Sequence, residues 1–147
     1  MNFAETIELE TVAVKKENIV NLPAGLLGLE HIKKYVLLAN PGEEPFHWLQ
    51  VIDDPSLAFL VLSPFEVLPE YEPEFSDEDA DFLGIGDASD ALVFNIVTLR
   101  SDGSATINLK GPIILNRRTL AGKQVVISNA SKYSLQHPLP VAEETFN

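Results

Sequence analysis

Apolar residues along this chain come in short runs, rich in β-branched and aromatic side chains and bounded by Pro, Gly, Asn or Asp. That punctuation predicts strands. Thr6 to Leu9, Glu17 to Leu22, Tyr35 to Ala39, Phe46 to Ile52 and Leu57 to Leu62 read as the first five. Ala91 to Leu99, Ala105 to Leu115 and Gln124 to Ser128 supply the later ones. Ser101-Asp102-Gly103-Ser104 is good hairpin chemistry, because Gly tolerates positive φ and Asp bonds its own backbone. Pro23 to Glu30 has two glycines and no alternation, which predicts an apolar turn or a single helical turn plugging one end of the core.

One helix breaks the strand pattern, near residues 77–83. Ser76 can accept from the Asp79 N–H as N-cap, Asp77, Glu78 and Asp79 suit the positive end of the helix dipole, and Gly84 stops it. Phe75, Phe82 and Leu83 are expected to face the protein while the acids face water. The whole predicts a mainly β fold over residues 1–147: a small antiparallel β-barrel-like single domain with one short helix, closed or nearly closed to remove its edges. The last few residues are expected to form a flexible tail.

At 147 residues the chain can bury roughly 70% of its unfolded surface, which is ample for one core. With 46% hydrophobic residues it is too apolar for a disordered acidic tail. The absence of cysteine removes disulfides, thiolate metal sites and cysteine nucleophiles together. Met1 to Glu10 holds acids and no base, and no run reaches about 18 apolar residues, so a cytoplasmic chain without a membrane span is expected.

Charge changes the picture more than composition does. Glu66, Glu70, Glu72, Glu74, Asp77, Glu78, Asp79, Asp81, Asp87 and Asp90 fall in one stretch without Lys or Arg, although the chain has only 22 acids in all. A net charge of −12 is therefore concentrated, and a concentrated field can steer a basic partner. Clustered bases that could grip a phosphate backbone are missing, which argues against direct nucleic-acid binding.

Other chemistry fails on spacing. Asp77, Asp79 and Asp81 match the start of a calcium loop, but Phe82 and Ala88 stand where Gly and Glu are required. Gly84-Ile85-Gly86 lacks the third glycine of a dinucleotide loop and follows a helix. His31, His47 and His137 lie in separate segments and read as surface or edge residues, and no nucleophile motif accompanies them. Asp53 and Asp54 could form a paired-carboxylate site, yet Asp-Asp-Pro between two strands is also turn chemistry. No cofactor, metal or small-molecule substrate is expected.

Three segments in register carry a family resemblance. They are Leu22-Pro23-Ala24-Gly25-Leu26-Leu27-Gly28-Leu29-Glu30, Pro45-Phe46-His47-Trp48-Leu49-Gln50-Val51-Ile52-Asp53-Asp54-Pro55-Ser56-Leu57-Ala58-Phe59 and Asn108-Leu109-Lys110-Gly111-Pro112-Ile113-Ile114-Leu115-Asn116. The chain resembles the flagellar assembly factor FliW family from about Thr6 to Leu139, departing at Gly111, where the family more often has Ala. The resemblance implies a non-enzymatic cytoplasmic switch that binds flagellin and, when free of it, binds the RNA-binding regulator CsrA, relieving repression of flagellin mRNA.

Joined to the charge pattern, this makes Glu66, Glu70, Tyr71, Glu72, Glu74 and Phe75 the expected partner-binding residues. The acids would set rate and specificity while Tyr71 and Phe75 add apolar contact. Flagellin recognition is expected by β-addition or in an apolar groove beside Leu26, Leu27 and Leu29. Two other classes stay open at this point: an acidic nucleic-acid mimic that blocks a DNA- or RNA-binding protein, and a carboxylate-dependent hydrolase using Asp53 and Asp54.

Overall fold

A computed structural model describes residues 18–39 and 45–139, with the backbone alone at Glu66. The expected strand Thr6 to Leu9 and the expected C-terminal tail lie outside the described residues. The described chain is mainly β: β1 (Ile19–Asn21), β2 (Lys34–Ala39), β3 (Phe46–Val51) and β4 (Ala58–Leu62) form an antiparallel meander. A short helix α1 (Asp77–Leu83) precedes the long strand β5 (Ala91–Leu99), followed by β6 (Ala105–Ile107), β7 (Ile113–Asn116), β8 (Gly122–Gln124) and β9 (His137–Pro138).

β5 is the branch point of this sheet. It pairs with β4 through Val61–Ile96 and Leu62–Asn95, with β7 over Ala91 to Phe94, and with β6 over Val97 to Leu99. Beyond these, β7 carries β8 and β6 carries β9. The β5–β6 hairpin turns where the sequence predicts: Gly103 has φ +89° and the Arg100 N–H donates to Ser104 O at 2.8 Å.

The expected single strand Ala105 to Leu115 is broken between β6 and β7, because Asn108 and Pro112 take backbone donors out of the ladder. Asn108 Oδ1 accepts from the N–H groups of Lys110 and Gly111, at 2.9 and 3.1 Å, and Pro112 has none to give. The last expected strand, Gln124 to Ser128, is instead β8 at Gly122–Gln124, followed by irregular chain.

The sheet does not close into a barrel. Among the described residues only an isolated parallel bridge, Asn21 to Ala121, joins the β8 end to β1, with the Asn21 N–H donating to Leu120 O at 3.1 Å. The local reason is the turn after β7, where Asn116 Oδ1 accepts from the N–H groups of Arg118 and Thr119 and Leu120 sits at φ +58°. Backbone donors spent in that turn cannot extend a ladder to β1.

Among the described residues three apolar clusters fill the interior. Val20, Leu22, Leu26, Tyr35 and Leu49 center the first, so Leu26 does plug the core as its turn predicts. Gly25 is required there, since it has φ +68° and a Cβ would lie 2.5 Å from Leu29 O. The second cluster joins Leu62, Tyr71, Ile107 and Leu109; the third, beneath α1, joins Leu83, Ile85, Ile114, Val125 and Ile127.

Candidate functional site

The acidic stretch divides into an extended limb and a helical limb. In the extended limb, Glu70, Glu72 and Glu74 are exposed while Tyr71 is buried and Pro73 and Phe75 are half-buried, an alternation of period two. Alternate residues of extended chain share a face, which spaces these carboxylates about 7 Å apart on the solvent side. None of the three carboxylates makes a hydrogen bond or ion pair among the described residues. Glu66 ends a 3-10 turn, Pro64–Glu66, whose next residues lead into the limb.

Tyr71 anchors the limb from inside. Its hydroxyl donates to Leu109 O at 2.7 Å and accepts from Asn95 Nδ2 at 3.3 Å, and its ring meets Tyr133 edge-on at 4.8 Å. Burial pushes this phenol up to about 12, the Asn95 bond opposing and the neighboring Tyr133 adding. At 2% exposure Tyr71 has no side-chain surface for a partner, so the expected apolar contact moves off it. Phe75 is half-buried against the cluster beneath α1. Apolar surface beside the acids comes instead from Phe65, 41% exposed, and from a cavity of about 460 Å³ lined by Leu68, Glu70, Tyr133 and His137 among others.

A clamp from the far end of the chain fixes the limb's backbone. Asn129 Nδ2 donates to Glu72 O at 2.7 Å while its Oδ1 accepts from the Glu74 N–H at 3.0 Å. The Glu72 N–H donates to the Tyr133 hydroxyl at 3.1 Å, and the Ser128 N–H to Glu74 O at 2.7 Å. Sequence reasoning missed these residues. Asn129-Ala130-Ser131 shows only a glycosylation pattern, and nothing local in it points 55 residues back.

The helical limb follows its prediction more closely. Ser76 Oγ accepts from the Asp79 N–H at 3.1 Å, Asp77, Glu78 and Asp79 occupy the first turn, and Gly84 ends α1 at φ +70°. Leu83 is buried, but Phe82 is 55% exposed rather than packed on the sheet. Lys123 explains the difference, because its ammonium sits 5.7 Å from the Phe82 ring center and 2.5 Å from Asp79 Oδ1. That cation holds the helix against β8 from the outside. Further on, Asp87 caps a 3-10 turn, and the Ser89 hydroxyl and N–H hold its carboxyl below the usual range.

The paired-carboxylate alternative does not survive the geometry. Asp53 and Asp54 are exposed in the β3–β4 turn, where Asp54 accepts from Ser56 Oγ at 2.6 Å and from the Leu57 N–H through its carbonyl. They line neither described cavity. His47 is not on an edge: it lies half-buried in β3, between β2 and β4, with its ring against Phe94. Among the described residues no cluster of His, Asp or Glu could hold a metal. No described helix is long and apolar enough to cross a membrane.

A second region is formed by the three segments that carry the family resemblance. Leu26, Leu27 and Leu29 from the first, Phe59 from the second and Asn108 from the third line one groove of about 370 Å³. Gln124 joins two of them, accepting from the Leu27 N–H at 2.9 Å and donating to Gly111 O at 3.0 Å.

An open antiparallel sheet, an acidic limb whose carboxylates are unengaged among the described residues, and an apolar groove are surfaces of the class that binds other macromolecules and not of a catalytic cleft. The profile of the family described as FliW protein matches residues 4–139. The chain is 38% identical over 136 residues to a flagellar assembly factor FliW of Treponema denticola, covering 92% of this chain and 91% of that one. It is 35% identical over 134 residues to the Geobacter sulfurreducens protein of the same name, covering 90% and 83%. A crystal structure of the flagellar assembly factor FliW superposes with TM-score 0.74 at 30% identity, covering 86% of each chain. This chain belongs to the FliW family of non-enzymatic flagellar assembly factors.

Proposed function

We propose that this chain is a cytoplasmic partner switch: it binds flagellin and, when released from it, binds CsrA and relieves repression of flagellin mRNA. The observation that carries the CsrA limb is the row of Glu70, Glu72 and Glu74, exposed on one face of a chain whose backbone is clamped at Glu72 and Glu74. Fixed carboxylates with no internal partner present their full charge to an approaching basic surface. The same field disfavors RNA phosphates near the bound regulator. Exposed pairs contribute only about 0 to 1 kcal/mol each, so Phe65, Leu68 and Tyr133 are assigned the apolar share of the contact.

Charge reversal of the row tests this reading. Glu70→Lys, Glu72→Lys and Glu74→Lys together should slow CsrA association by about tenfold or more at low salt and flatten its salt dependence. Stability should stay within about 0.5 kcal/mol, since the substituted side chains are exposed and their carboxylates form no ion pair among the described residues. Stopped-flow binding at several ionic strengths reads both, and an unchanged rate and salt slope would sink the proposal. Direct RNA mimicry predicts strict competition; a ternary complex of this chain, CsrA and RNA favors the switch.

A further inference from the structure

The groove between the Leu26–Leu29 turn, β5 and β6 has an apolar floor of Leu26, Leu29, Phe59 and Ile96. Leu27 and Leu135 line it while remaining 60% exposed, so each offers unused apolar surface. Its polar lining is uncharged except for Arg100. That cation is the one charged group lining the groove, on a chain of net charge −12. The sole ion pair among the described residues is Lys123 with Asp79, so no described carboxylate pairs with Arg100. Asp102, two residues on, is bonded to the Ser104 N–H and hydroxyl and feels the Arg100 charge only as a weaker influence, without an ion pair.

We propose that this groove docks an apolar segment of a partner polypeptide carrying an Asp or Glu side chain, with Leu27 and Leu135 gripping the apolar face and Arg100 receiving the carboxylate. Charge complementarity selects an anionic segment: an acidic group meets a guanidinium and no lining carboxylate, whereas a basic segment would place a cation against Arg100. The carboxylate belongs to a side chain and not to a chain terminus, because capture of a terminus uses clustered backbone N–H groups. Four of those nearby are already spent, leaving no cluster among them: Leu27 donates to Gln124, Gly28 to Glu30, Arg100 to Ser104 and Asn108 to Ile96.

The proposal rests on the reading that flagellin is a partner, and gives that partner a place distinct from the acidic limb. A groove of this size holds a few side chains, so it is an anchor within a larger contact. Flagellin monomer, and overlapping synthetic peptides covering its sequence, should be titrated against wild type, R100E, R100K and L27A by fluorescence anisotropy. Both R100E and L27A should weaken flagellin about tenfold, R100K should retain most of the affinity, and CsrA binding should be unaffected. An acidic-to-Lys change in the bound peptide should restore binding to R100E.

Flagellin bound equally by wild type, R100E and L27A would overturn the groove and leave the partner reading intact. No flagellin binding by wild type would overturn both. Binding confined to a peptide with a free C-terminus, and lost when that terminus is amidated, would overturn the side-chain assignment. Both substituted positions are exposed, and unchanged circular dichroism confirms that loss of binding is not loss of fold.

Discussion

The extended limb from Glu70 to Phe75 and the helical limb from Asp77 to Leu83 are both acidic, yet the protein uses their carboxylates oppositely. In α1 the acids do internal work: three lie in the first turn, where the helix dipole favors them, and Asp79 also pairs with Lys123. In the extended limb the backbone does that work, through Asn129, Tyr133 and Ser128, and the carboxylates are left over. Formal charge of the same sign is therefore unequal in availability. A carboxylate already paired offers a partner little new attraction, whereas an unpaired one held in place offers the most.

The largest test of this contrast is alkaline. Tyr71 anchors only the extended limb, and burial raises its phenol from the ordinary 10.0 to about 12. A folded value above the unfolded one means that the stabilization is fully present below pH 10 and is lost as pH rises through about 12. The amount is about 3 kcal/mol. Urea midpoints measured from pH 8 to 12 should fall across that window, and Tyr71→Phe should flatten the fall. Tyr35, also raised by burial, leaves a residual slope.

A smaller effect separates the limbs by partner binding. Asn129→Ala strands the Glu74 N–H and Glu72 O and should cost about 2 kcal/mol, or about 5 °C in Tm. It should also slow CsrA association as the row of carboxylates loosens. Ser76→Ala removes the cap of α1, costs about 1 kcal/mol, and should leave CsrA association unchanged. Thermal melts with parallel binding kinetics check the pair; if the Ser76 variant binds slowly and the Asn129 variant normally, the division between limbs is wrong.

Legibility in the sequence followed the range of the interactions. Ser76 and Gly84 bracket α1 as expected because capping is decided within a few residues. The Gly103 hairpin and the limits of β5 are local in the same way. Phe82 misled because hydrophobicity suggested burial, while a cation from β8 covers its exposed ring. Tyr71 misled in the other direction: its acidic neighbors suggested a surface residue, but period-two alternation turns it inward. The antiparallel β domain is as expected, but its expected closure stops at one turn, where Asn116 and Leu120 redirect the chain and leave, among the described residues, a single bridge to β1.

What the sequence alone determined was the concentration of charge, the mainly β character, the capped helix α1 and, through three segments, the family. These follow from residue type and short spacing, which act over a few bonds whatever the rest of the chain does. Only the tertiary structure decided which acids remain free, because that depends on Lys123 reaching Asp79 from 44 residues away and Asn129 clamping Glu72 from 57 away. Only folding, likewise, brings Leu27, Phe59 and Asn108 beside Arg100. Contacts between residues so distant along the chain leave no periodicity behind them, since either partner's local pattern is satisfied without the other.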